Sequence, residues 1–344
     1  MGQSIAAKEF IKKEFAQKEL TKKDFTKAEI KEMLLSEGSA QQELFTQARL
    51  TRENVFGNSL KVRGVIEISN ACVKHCDYCA MSSHNPKLER FTLDAETILQ
   101  TARHIRSTGI PIVFLQSGQT PRCDDLLYKV IPAIRKELDC EILLCVGEKP
   151  KSVYEAYRTA GADSYILKFE ASNPALYESV THSALKKRME CTAHIRETGM
   201  KLGTGSIIGL PGQTLDDIVD DILCAISMKP DFVSAAPFIA NKGTPFEQMP
   251  VGDINRTLNA IAIWRIALPS ALIPTVSALE YIHPEGQAAG LSAGANVIAV
   301  NFTPKANRDK YAIYANDRFI VGLDHAQKTA KKAGMRLLLC ASEN

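Results

Sequence analysis

Between Lys61 and Val300 the chain alternates two periodicities. Short runs dense in β-branched and apolar residues, at 62–69, 112–115, 142–146, 164–168, 202–208, 232–236, 273–276 and 297–300, read as strands buried on both faces. Between them apolar residues recur at helical spacing over 94–107, 124–138, 152–160, 185–198, 215–228 and 255–268. Gly109, Gly161 and Gly199 follow three of these helices, where a left-handed cap favours glycine, and Thr214 stands where an N-cap is wanted. Strands alternating with helices return in parallel. Eight such units in under 300 residues predict a closed (β/α)8 TIM-type barrel rather than an open doubly wound sheet.

Residues 1–50 follow another pattern, rich in lysine and free of proline. Ile11 and Phe15, then Ile30, Met33 and Leu34, are spaced as apolar helix stripes. We therefore expect a helical N-terminal cap over 1–50 and a barrel domain over 51–344 that ends in a helix, with the lysines on solvated helix faces. Barrels of this type place their chemistry in the loops beyond the C-terminal ends of the strands. The residues just after each predicted strand are thus the ones to inspect.

Composition narrows the classes. The chain has 344 residues, is 45% apolar and carries a net charge of +3, which offers no basic groove for nucleic acid. No stretch approaches the roughly 20 apolar residues that span a bilayer, and residues 1–10 lack the apolar core of a secretion signal. A cytoplasmic location, with no membrane and no nucleic-acid partner, is the expectation. Nine cysteines in such a chain point to metal ligation and buried thiols rather than disulfides.

Three of them fall within eight residues, Cys72, Cys76 and Cys79, directly after the first predicted strand. One loop with that spacing wraps three corners of an iron–sulfur cube. A 4Fe-4S cluster normally takes four cysteines, so three leave one iron open to a substrate or cosubstrate. Zinc, with His75 or His84 as fourth ligand, and a Cys76/Cys79 redox pair are the alternatives. The redox pair leaves Cys72 idle, and zinc does not account for a triad at the end of strand one.

The C-x3-C-x2-C spacing, with Tyr78 just before the third cysteine, resembles the signature of the radical S-adenosylmethionine (SAM) superfamily. The resemblance implies a 4Fe-4S cluster on Cys72, Cys76 and Cys79, with SAM bound through its amino and carboxylate groups to the open iron. It also implies an electron donor such as ferredoxin or flavodoxin, and reductive cleavage of SAM to methionine and a 5'-deoxyadenosyl radical that takes a hydrogen atom from a small-molecule substrate. The segment Leu115-Gln116-Ser117-Gly118-Gln119 resembles the loop that holds the methionyl amine. Glu170 and Arg188 are similar to acidic and arginine positions that contact SAM, an arginine fork suiting its carboxylate. The run from Gly203 to Thr214, with Ile207 at its centre, resembles the adenine-side motif. The implied cofactor contacts are Tyr78, Gln116, Ser117, Gly118, Glu170, Arg188, Ile207 and Asn301. Glu170 and Lys168 are the catalytic candidates, and Lys168, Thr204, Ser206, Asn301 and Thr303 are assigned to the substrate side.

Further segments, Ala236-Pro-Phe-Ile239, Gly243-Thr-Pro245 and Ser292-Ala-Gly-Ala-Asn296, extend the likeness over about residues 50–305 and place it in the biotin synthase-like group. That group includes biotin synthase, the methylornithine synthase PylB and the HydE maturase of iron-only hydrogenase. The second cluster of biotin synthase is held by three cysteines and an arginine, positions that align by hand with Leu115, Leu143, Gly203 and Leu279. None of these ligates iron through its side chain, which argues against sulfur insertion of that type. The pattern looks closest to the HydE maturase, with a small iron-containing or thiol-derived substrate and a downstream scaffold protein as implied partners. Lys168-Phe169 departs from the Arg-His pair usual there, and the C-terminal accessory-cluster cysteines are missing. A PylB-like radical mutase on an amino acid, lipoyl- or biotin-type sulfur insertion and an electron-transfer iron–sulfur protein are the competing readings. Cys123 and Cys145, near strand ends, stand out among the other six cysteines, for which burial as small apolar groups is the default.

Overall fold

The structure, a computed structural model, describes residues 25–314 and 317–340. Parallel strands β1 (Ser59–Ser69), β2 (Ile112–Ser117), β3 (Glu141–Cys145), β4 (Ser164–Ile166), β5 (Lys201–Ile208), β6 (Phe232–Pro237) and β7 (Val297–Asn301) form a curved sheet in the order β6-β5-β4-β3-β2-β1-β7. The predicted stave at 273–276 is reduced to single parallel bridges, Leu272 to Phe232 on β6 and Pro274 to Val297 on β7. Pro274 has no N–H to give to a longer ladder. Those two bridges nevertheless join the edges of the sheet, and the (β/α)8 barrel closes. A short strand not expected from the sequence, β8 (Arg336–Leu338), pairs in parallel with Ser59–Lys61 at the start of β1.

Along each strand alternate side chains face opposite ways. Leu60, Val62, Ile66 and Ile68 of β1 join the large outer core against the helices, as do Val113 and Leu115 of β2 and Ile142 and Leu144 of β3. Val65, Ile112, Phe114 and Leu143 pack together in a separate inner cluster. The six expected helices are all present, with ends within two residues of expectation. Gly109, Gly161 and Gly199 adopt positive φ at their C-termini, and Thr214 forms a capping box with Asp217.

Of the expected N-terminal helices, Ile11 and Phe15 lie outside the described residues. The helix Lys27–Leu34 begins with a capping box between Thr26 and Glu29 and buries Ile30, Met33 and Leu34. The helix Gly38–Phe56 runs past position 50 and delivers the chain to β1. Both pack on Ile254–Ala267, in which every residue from Thr257 to Ala267 is buried.

Candidate active site

The C-terminal strand ends carry the site. Beyond β1 the chain forms a loop pinned on every side. Val73 N–H donates to the Gln119 carbonyl at 2.8 Å and Asp77 N–H to the Val180 carbonyl at 2.9 Å. The Arg90 guanidinium gathers four carbonyls, those of Asn70, Met81, Ser82 and Asn85, at 2.6–3.2 Å. Gly118 has no room for a side chain, because a Cβ there would overlap the Ala71 carbonyl and lie 2.9 Å from the Cys72 Cβ. Within this frame Cys72, Cys76 and Cys79 are free thiols on the wall of one cavity of about 190 Å³. Burial pushes the Cys76 thiol up to about 11 and the Cys79 thiol up further, so the site favours thiolates only when a cation shares it.

The donor set fits a cluster. Among the described residues no three His, Cys, Asp or Glu side chains converge closely enough to hold a single metal ion. His75 instead meets Ser83 Oγ at 2.6 Å through Nδ1 and stacks on His84 with ring centres 4.0 Å apart. Zinc is disfavoured. A cube spreads three thiolates wider than one ion does, and the cavity they line has the required three sulfurs.

The same cavity is lined by Tyr78, Ser117, Lys168, Glu170, Arg188 and Ile207. Glu170 sits at φ 65°, a left-handed conformation that a non-glycine residue adopts only where its surroundings enforce it. Here its N–H donates to the Gly205 carbonyl and its carbonyl accepts from Ile207 N–H. Lys168 Nζ lies 2.9 Å from Glu170 Oε2. Burial works against the Lys168 charge, but the Glu170 carboxylate together with Tyr314 and Cys145 outweighs it and holds the ammonium above its usual range. Arg188 Nε lies 2.9 Å from Glu148 Oε1 and donates to the Tyr177 hydroxyl at 2.9 Å. Glu148 is desolvated, yet Arg188 and Lys74 keep its carboxyl below the ordinary range. Lys74, two residues after the first cysteine, reaches the other oxygen of Glu148 at 3.4 Å. The cluster loop and Arg188 are thus tied to one buried carboxylate.

A second cavity of about 160 Å³ occupies the barrel interior. It shares Cys145, Ile166, Lys168, Ile313 and Tyr314 with the first as a common wall. Gln116 and Asn301 line this inner chamber rather than the first cavity. Thr204, Ser206 and Thr303 line neither. Thr204 Oγ1 donates to the Leu167 carbonyl, Thr303 Oγ1 accepts from Glu67 N–H, and Ser206 is wholly buried.

Sequence reasoning missed Glu148, Arg90 and three charged residues of the chamber. Arg318 pairs with Glu67 at 2.7 Å, both nearly inaccessible. Arg63 is 3% exposed, lies over the Phe232 ring at 4.8 Å and has, among the described residues, no hydrogen-bond partner for Nε or Nη2. Burial lowers it to about 10. The signal for Arg63 and Glu67 was in the sequence, as charges at the second and sixth positions of a strand predicted to be buried on both faces.

A family model described as the radical SAM superfamily matches residues 66–225. The [FeFe] hydrogenase maturase subunit HydE of Thermotoga maritima is 36% identical over 288 residues, 83% of this chain and 82% of that protein. The chain belongs to the radical SAM superfamily. Its members use a 4Fe-4S cluster and SAM, and it is an enzyme of that kind. A 3-methylornithine synthase of Methanosarcina acetivorans is 26% identical over 84% of this chain and 83% of that protein. A biotin synthase of Ectopseudomonas mendocina is 26% identical over 77% of this chain and 79% of that protein. The crystal structure of methylornithine synthase (PylB) superposes with a TM-score of 0.81 at 20% identity, covering 96% of this chain and 97% of that one, and shares the fold.

Within the superfamily, the biotin synthase comparison needs one correction. Leu115 and Leu279, two of the four hand-aligned positions, belong to the outer core and not to the barrel interior. The inward neighbour on β2 is Gln116, and Cys145 is the only cysteine among the described residues lining the chamber.

Proposed function

We propose that the chain is a HydE-like maturase whose radical acts on a small anionic precursor in metallocluster or cofactor assembly. The 36% identity to the HydE of Thermotoga maritima over most of both chains supports the maturase reading. The anionic character rests on Arg63. Glu67 is taken up by Arg318 and Glu170 by Lys168; the Glu141 charge acts on Arg63 at longer range, but on this residue of the chamber wall Nε and Nη2 keep no hydrogen-bond partner among the described residues. An unpaired buried cation is costly, and a ligand carboxylate or thiolate relieves that cost. An amino-acid substrate would want a spare carboxylate for its ammonium group, and the chamber's own acid, Glu67, is already engaged.

In this reading Cys72, Cys76 and Cys79 hold the cluster, which supplies the electron for SAM cleavage when bound. Arg188, fixed by Glu148 and Tyr177, faces the SAM carboxylate. Ser117 and Tyr78 border the methionyl end, and Glu170 and Ile207 border the nucleoside. Gln116 and Asn301 face the substrate instead, and Gly118 acts by letting the cluster loop close on β2. Lys168, in the wall between cavities, meets both ligands and holds a proton between them. The closed wall keeps water from the radical. The electron arrives from a ferredoxin or flavodoxin, and the product leaves to a scaffold protein.

The test is 5'-deoxyadenosine release, stimulated by a panel of small anionic thiol or iron–thiolate compounds and of free amino acids. The anionic class is expected to stimulate, with Arg63→Met raising the concentration required by about tenfold or more. Stimulation by amino acids alone would transfer the chain to the mutase reading.

A further inference from the structure

Behind the first cavity, on the helix Leu215–Met228 that follows β5, Asp221 is completely buried. Its partners are neutral donors from two different loops. Oδ1 accepts from Ser172 N–H and Ser172 Oγ, both at 2.6 Å. Oδ2 accepts from Gln213 Nε2 at 2.9 Å. Ser172 lies two residues past Glu170, in the loop after β4. Gln213 in turn shapes the loop after β5: its Oε1 accepts from Gly209 N–H at 2.6 Å and Leu210 N–H at 3.2 Å, and its Nε2 also donates to the Ile207 carbonyl at 3.1 Å. One carboxylate therefore joins the segment that presents Glu170 to the segment that presents Ile207. Both of those residues face the cavity, while Asp221 does not line it. A buried carboxylate is an expensive way to fill a core position, and an apolar side chain would pack there at lower cost.

We propose that Asp221 is a positioning residue for SAM, clamping the Glu170 loop to the Ile207 loop from behind and so setting the gap that receives the nucleoside. This rests on the reading of the first cavity as the SAM site. The bonding pattern favours the ionised form, since the Ser172 N–H and the Gln213 amide can only donate and a protonated carboxyl gives up an acceptor site. Asparagine cannot replace it. An amide turned to accept from Ser172 points its NH2 at the Gln213 NH2, and Gln213 cannot flip without abandoning Gly209 and Leu210.

The clamp also has a pH dependence. Burial pushes Asp221 up to about 7. The groups facing it are Asp217 and Cys224 from its own helix, Ser172 from the loop after β4 and Gln213 from the loop after β5. Asp217 adds to the upward push and is itself held by Asn173 and Thr214. As the pH falls through about 7, Asp221 takes up a proton and the clamp loosens.

The experiment uses the full chain, reconstituted anaerobically with iron and sulfide, and measures the SAM dissociation constant by equilibrium dialysis alongside iron content and melting temperature. Asp221→Asn is expected to weaken SAM binding about tenfold, the worth of one charge-assisted hydrogen bond, with iron per chain unchanged. Wild-type affinity should fall as the pH is lowered through about 7, and the variant should show no such step. Gln213→Leu, at a half-buried loop position, cuts the same link with less risk to folding and should weaken binding to a similar degree. Wild-type-like affinity in both variants, with only the melting temperature lowered, would make Asp221 a plain fold support and overturn the clamp. Wild-type protein that keeps its iron yet binds no SAM would overturn the SAM site and the clamp together.

Discussion

Single residues at this site act mostly through backbone they hold in place. Gly118 shows it most plainly: read from the sequence it is a SAM contact, yet in the structure it borders neither cavity and exists to let Ala71 and Cys72 approach β2. Gly118→Ala should therefore push the cysteine loop off its seat, at a cost of about 1–3 kcal/mol for the overpacked contact. The expected outcome is a lower iron-to-protein ratio after reconstitution with an unchanged far-ultraviolet circular dichroism spectrum; full iron loading would contradict it. The cysteines themselves were legible because their spacing is chemistry written in one loop. Glu148 was not, because its partners Arg188 and Lys74 come from segments 40 and 74 residues away, a distance that no local pattern encodes. Arg90 was invisible for another reason, since its four acceptors are all backbone carbonyls.

At the level of elements, apolar periodicity located seven of the barrel strands and six helices, because burial on two faces leaves a strong mark in sequence. It failed where that mark is weak. The stave at 272–274 carries a proline and makes only two bridges, and β8 alternates exposed and half-buried positions rather than forming an apolar run. The N-terminal extension was read as a cap, and its described helices bear on the outer helix Ile254–Ala267. The join depends on Asn259, whose buried amide donates to the carbonyls of Leu34 and Ser36 at 3.1 and 3.0 Å and accepts from Gln41 at 2.9 Å. Replacing it with leucine strands those carbonyls at the turn between the two helices. Asn259→Leu is expected to lower the unfolding free energy by about 2–4 kcal/mol in a denaturant titration; a change below about 0.5 kcal/mol would show that water or a shifted turn satisfies the carbonyls instead.

The whole molecule divides its work by depth. The cysteine loop and the first cavity lie at the strand ends, the inner chamber lies within the barrel, and Cys145, Ile166, Lys168, Ile313 and Tyr314 separate them. In the proposed reading, that arrangement sets the SAM site directly against a chamber lined by Arg63, whose Nε and Nη2 have no hydrogen-bond partner among the described residues. Barrel closure and the order of the motifs were readable from the chain, since both follow the sequence linearly. Which inward residues face which cavity was not, because one residue of register turns a side chain from the chamber to the outer core, as Leu115 and Gln116 demonstrate. The central claim is that this fold generates a radical from SAM at Cys72, Cys76 and Cys79. Its most direct test is anaerobic reconstitution with iron and sulfide, reduction with dithionite in the presence of SAM, and chromatography for 5'-deoxyadenosine. The wild-type protein should form it, and the triple variant Cys72→Ala/Cys76→Ala/Cys79→Ala should lose both iron and product. A well-loaded cluster that neither binds nor cleaves SAM would contradict the account.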